Sequence, residues 1–66
     1  MQVRVNGQIL QFPDYTRVSN LLTFLHLQPE GVAVERNRVV LEREQFAQVV
    51  LTEGDELEVV RFVGGG

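Results

Sequence analysis

The chain of 66 residues opens with apolar and polar positions in alternation, the spacing of a half-buried strand. Val3 and Val5 alternate with Gln2 and Arg4, Asn6-Gly7 supplies the two residues of a type I′ turn, and Gln8 to Phe12 returns as a second strand. A turn at that point sets Val5 opposite Gln8, Val3 opposite Leu10 and Met1 opposite Phe12. This register gathers Met1, Val3, Leu10 and Phe12 on a core face and sends Arg4 and Ile9 the other way. Pro13-Asp14-Tyr15 then breaks the strand, and Thr16 is the expected helix N-cap. Val18, Leu21, Leu22 and Leu25 fall at i, i+3, i+4 and i+7, which predicts a helix of about ten residues with one apolar stripe. So short a helix is marginal alone in water and gains its stability by docking that stripe on a sheet.

Gln28-Pro29-Glu30-Gly31 ends the helix. A strand is expected at Val32 to Glu35, a turn around Arg36-Asn37 with Asn37 at positive φ, and a second apolar run at Val39 to Leu41. The charged stretch Glu42 to Gln48 reads as a short helical turn with Phe46 or Ala47 tucked inward, while Val49 to Leu51 is ambiguous. Thr52-Glu53-Gly54-Asp55 turns the chain into a last strand, Leu57 to Val63. A hairpin, a helix, two short strand-like pieces and a returning strand describe an α+β fold, a mixed sheet clasping one main helix. Residues 1–63 form one expected domain, and 64–66 an expected flexible glycine tail.

The two faces of the last strand differ. Alternation puts Leu57, Val59, Arg61 and Val63 on one face and Glu58, Val60 and Phe62 on the other. Leu57 and Val59 are the natural core pair, so Glu58 marks the solvent side. Two readings stand for Val60 and Phe62. In one, both faces are partly covered, as in a central strand. In the other, Val60, Arg61, Phe62 and Val63 make an apolar docking patch for a partner, leading straight into the tail.

Composition narrows the function. Twelve valines favour strands. A chain this short buries only about 60% of the surface that it exposes when unfolded, so its core is thin. Cysteine is absent and His26 is the single histidine, which removes disulfides, thiol nucleophiles, catalytic triads and multi-histidine metal sites from one chain. Six arginines against nine acids, a net charge of −3, argue against nucleic acid as a partner. The apolar runs are only a few residues long and the opening lacks a leader pattern, so the expectation is a cytoplasmic protein with no membrane partner. Scattered carboxylates without EF-hand spacing give no metal site. A self-contained enzyme is not expected, and no bound cofactor.

What remains is the end of the chain. Gly64-Gly65-Gly66 has no Cβ atoms, so it makes the thinnest possible strand for threading a partner's channel. Ordering each residue costs about 1–2 kcal/mol, roughly 3–6 kcal/mol for the three, which contacts at Val60, Arg61 and Phe62 would have to supply. The chemical group available is the carboxylate of Gly66, ionised at neutral pH and a poor electrophile. Its attack on the α-phosphate of ATP in a partner enzyme would yield an acyl adenylate, and a sulfur nucleophile displacing AMP would leave a thiocarboxylate.

The Val-Ala-Val-Glu-Arg-Asn stretch from Val32 to Asn37 after Gly31, the Glu-Gly-Asp turn of Glu53 to Asp55, and the Val-Gly-Gly-Gly end of Val63 to Gly66, in this order and chain length, resemble the ThiS family of sulfur carriers in thiamine biosynthesis. The resemblance spans the whole chain and implies a ubiquitin-like β-grasp fold with four to five strands. It also implies adenylation of Gly66 by a ubiquitin-activating-type enzyme (ThiF), which consumes ATP, and conversion to a thiocarboxylate with sulfur drawn from cysteine by a desulfurase. Delivery would be to a thiazole synthase (ThiG). Gly64 and Gly65 would thread the partner active sites, and Val60 to Val63 would dock. The related molybdopterin carrier shares the Gly-Gly end but usually runs longer. A ubiquitin-like modifier joined to target lysines and an interaction module with an inert tail are the other functions open to such a chain.

Other residues read as structural. His26 lies near the helix end, where a surface or capping role outweighs catalysis. Glu42-Arg43-Glu44 reads as a solvated turn, and Asp55 as satisfying backbone groups in its own turn. The chain has no lysine, hence no side-chain amine with which an activated terminus could ligate to itself; a general bias toward arginine is the preferred account.

Overall fold

The computed structural model describes residues 1–62. Val63, Gly64, Gly65 and Gly66, on which the tail and part of the docking expectations fall, lie outside the described residues. The elements are β1 (Gln2–Val5), β2 (Gln8–Gln11), α1 (Val18–Phe24), β3 (Val32–Arg36), β4 (Val39–Leu41) and β5 (Glu56–Arg61), with 3₁₀ turns at Pro29–Gly31 and Arg43–Gln45.

The hairpin forms in the expected register, with Val3 opposite Leu10 and Val5 opposite Gln8. Asn6 and Gly7 take φ of 50° and 82°, the positive pair that a type I′ turn requires. A second such pair, Asn37 at 51° and Arg38 at 71°, turns β3 into β4. The five strands assemble in the order β2-β1-β5-β3-β4. β5 runs parallel to β1 and antiparallel to β3, so the last strand fills the centre of a mixed sheet.

Helix α1 packs its stripe on one face of that sheet. Val18, Leu21 and Leu22 are buried with Val3, Val5, Val34, Leu57 and Val59, while Leu25 is half-buried at the rim. Phe46 closes the core from the Arg43–Gln45 turn and Ala47 is exposed, so Phe46 is the inward residue. Leu51 is buried as well, and the ambiguous Val49 to Leu51 segment is tied to the helix entry through an isolated bridge between Arg17 and Val50.

Three local expectations are corrected. The helix N-cap is Arg17, not Thr16: the Thr16 hydroxyl donates to the Pro13 carbonyl at 2.7 Å, and the Asn20 Oδ1 accepts from the Arg17 N–H at 2.9 Å. The helix has 7 residues, shorter than expected, because His26 adopts φ 61° and its N–H and that of Leu27 bond back to the Thr23 and Leu22 carbonyls. That is a Schellman ending built on histidine where glycine is usual, which hid it from a search for glycine. The last strand begins at Glu56, one residue earlier than read.

Candidate functional site

The exit end of β5 carries the residues that the sequence singled out. Val60 and Phe62 are 59% and 57% exposed on the face opposite the helix, which favours the open apolar patch over the reading in which both faces are partly covered. Burial elsewhere follows the expected alternation, with Leu57 and Val59 in the core and Glu58 in solvent. Arg61 is exposed beside them.

Backbone pairing fixes this end. Val60 lies opposite Ala33 and Arg61 opposite Val32, and the Phe62 N–H donates to the Gly31 carbonyl at 2.9 Å. A groove of about 210 Å³ runs beneath it, lined by His26, Leu27, Gln28, Gly31, Arg61 and Phe62 among others. His26 therefore sits beside the tail's exit, but no second titratable group of the described residues lines the groove with it except Arg61, which has no role as a base.

The rest of the outer face mixes charges, with Arg4 and Arg38 among Glu35, Glu56 and Glu58. Glu35 and Glu58 stand directly opposite each other, Glu56 lies beside Arg4, and Val40, 63% exposed, borders Glu35 on β4. Like charges facing across strands disfavour the free protein slightly. Among the described residues no group of three or more His, Asp or Glu side chains is arranged to hold a metal ion, and no helix is long and apolar enough to cross a membrane.

Two clusters that the sequence reading left unconnected hold β5 in place. Asp55, 4% exposed, accepts hydrogen bonds from Arg36 Nε at 2.9 Å, Asn37 Nδ2 at 3.1 Å, the Thr52 N–H at 2.8 Å and Thr52 Oγ1 at 3.0 Å. Burial alone pushes this carboxyl up, but the bond from the Thr52 N–H, then those from Asn37, Arg36 and the Thr52 hydroxyl, outweigh it and hold Asp55 below the ordinary carboxylate value. Asn37 also accepts from the Glu56 N–H and donates its own N–H to the Glu56 carbonyl. The Arg36-Asn37 and Gly54-Asp55 motifs are thus one latch at the entry of β5. The second cluster is Asn6, whose side chain donates to the Val59 carbonyl at 3.1 Å and accepts from the Val59 N–H at 2.8 Å. Asn6 was legible as a turn residue and silent about this partner, 53 positions away.

A helix clasped by a five-stranded mixed sheet, with its central last strand delivering an exposed apolar end, defines the ubiquitin-like β-grasp class. A solved structure of a thiamine biosynthesis protein, ThiS, from Geobacter metallireducens superposes with a TM-score of 0.83 at 39% identity, covering 100% of both chains. The sulfur carrier protein ThiS of Bacillus subtilis is 34% identical over 97% of this chain and 98% of its own. A thiazole synthase of Magnetococcus marinus is 44% identical over all 66 residues, which span only 20% of that relative, and one of Paramagnetospirillum magneticum is 39% identical over the same 20% share. The ThiS family model matches residues 2–66, and the chain belongs to the ThiS family.

Proposed function

We propose that this protein is a sulfur carrier of thiamine biosynthesis whose working atom is the carboxyl carbon of Gly66. The observation that supports the reading is the exposed apolar end of β5, bonded to Gly31 on the β3 side and anchored at Val59 by Asn6, directly before the glycines in sequence. In this reading a ThiF-type enzyme takes ATP, and a Gly66 carboxylate oxygen attacks the α-phosphate with loss of pyrophosphate. A persulfide sulfur, drawn from cysteine through a desulfurase, then displaces AMP to give an acyl disulfide, and a second thiol attacks the persulfide's inner sulfur, forming a disulfide with it and releasing the thiocarboxylate. Gly64 and Gly65 thread the enzyme's channel, where a Cβ would widen the chain. Val60, Arg61, Phe62 and Val63 supply docking contact.

A thiazole synthase is proposed as the acceptor. Two relatives bearing that name contain a segment matching this whole chain within a much longer polypeptide, which favours a working association between carrier and synthase. The carrier binds no cofactor in this reading, and the nucleotide belongs to the activating enzyme. The proposed setting is cytoplasmic. A molybdopterin or other thiolation pathway and a protein modifier are the competing functions.

Intact mass tests this. Incubated with a ThiF-type enzyme, ATP and a sulfur source, the chain is expected to exchange one terminal oxygen for sulfur. Isopeptide-linked conjugates in a cell extract would instead establish a modifier, and an unchanged mass would establish an inert tail.

A further inference from the structure

We propose that the open edge of β5 at Arg61 receives an extended segment of the adenylating enzyme as an added strand. The inference rests on the reading of Gly66 as the activated group and goes further, to the main-chain atoms that the enzyme would grip.

The parity of β5 carries it. On the β3 side the Phe62 N–H donates to Gly31 and the Glu56 carbonyl accepts from Asn37, so even-numbered residues turn their backbone groups toward β3. Odd-numbered residues turn theirs toward β1. The Asp55 carbonyl accepts from the Arg4 N–H at 2.8 Å and the Leu57 carbonyl from the Asn6 N–H at 2.9 Å. There β1 turns away at Asn6-Gly7, and the Asn6 carboxamide prolongs the pairing by one residue, taking both the N–H and the C=O of Val59. Arg61 is the next in the series. Its N–H and C=O face the same side, and neither meets a partner among the described residues. An unpaired edge of this kind is a template for β-augmentation, in which main-chain bonds supply affinity.

Geometry selects the occupant. The four residues from Val63 to Gly66 reach at most about 14 Å when fully extended. An enzyme that brings its nucleotide to Gly66 must therefore approach within that reach of Phe62, close enough for a segment of its surface to meet the Arg61 edge. Val60 and Phe62, exposed on the outer face next to that edge, give the added strand apolar side chains to lie against.

The test uses the full chain and a ThiF-type enzyme. Hydrogen exchange is read at individual amides, free and with saturating enzyme. In the free carrier the Arg61 amide is expected to exchange rapidly while Val60 and Phe62, bonded to β3, exchange slowly. In the complex Arg61 is expected to slow by at least tenfold. Pyrophosphate exchange is measured in parallel on Arg61→Pro, which removes this N–H without touching the β3 ladder, and on Arg61→Ala, which keeps it. Arg61→Pro is expected to raise the KM for the carrier about tenfold over Arg61→Ala, the cost of leaving an acceptor on the enzyme unpaired. If Arg61→Pro does not fold, the exchange measurement decides alone. An Arg61 amide that stays fast in a complex able to activate the parent chain overturns the inference and leaves the role of Gly66 intact. Protection of Arg61 by concentrated carrier alone assigns the edge to a second copy and also overturns it. A parent chain that supports no ATP-dependent exchange removes the reading of Gly66 and this inference with it.

Discussion

Asp55 is the buried charged side chain among the described residues, and four donated hydrogen bonds make its burial tolerable. Its carboxyl is held below the ordinary value in the folded protein, so the unfolded chain takes up the proton more readily as pH falls. The stability that it contributes is therefore complete above the ordinary aspartate value of about 3.9 and is lost as pH drops through the lower folded value. Asp55→Asn is expected to destabilise the protein by about 2–3 kcal/mol at pH 7, the scale of hydrogen bonds to a charged group. It should also flatten the acid limb, which urea unfolding at pH 7 and pH 3 checks: the parent loses more stability between the two than the variant. A variant with the same acid loss would move the pH dependence elsewhere. The sequence showed Asp55 as a turn residue and Asn37 as a positive-φ residue, both correctly. It did not show that they touch, because the latch joins residues 18 and 19 positions apart through a sheet register that no local pattern encodes.

At the scale of elements, binary pattern sufficed where one period governed the segment. The β1–β2 register, the helical stripe and the burial of Leu57 and Val59 all follow from spacings of two and 3.6. It failed where a backbone ending was made by an atypical residue, as with His26 closing α1 and Arg17 opening it. The anchoring of β5 belongs to this scale too. The strand outruns its parallel neighbour, and Asn6 repairs one residue of the missing pairing. Asn6→Gly keeps the positive φ that the turn needs and removes both side-chain bonds. It is expected to cost about 1–3 kcal/mol, two net hydrogen bonds, and to speed amide exchange at Val59 more than at Leu57. Equal exchange at both positions would show that Asn6 serves the turn alone.

At the scale of the molecule, twelve buried hydrophobic residues among those described gather between one helix and one face of the sheet as the core, and none of the twelve carries a reactive group. The proposed chemistry lies at the chain end, the reading to which absent cysteine, a single histidine and terminal glycines pointed in the sequence. The candidate docking surface was half legible: alternation placed Val60 and Phe62 together, but only the topology showed that, among the described residues, no layer covers them. The central claim is that the fold is a handle and the terminal carboxyl of Gly66 is the group that partners activate. The direct measurement appends one uncleavable alanine after Gly66 and follows ATP-dependent sulfur loading beside the parent chain, with melting and enzyme binding recorded for both. The account predicts the same fold, retained binding and no sulfur on the extended chain. Sulfur loaded on the extended chain at the parental rate would contradict it.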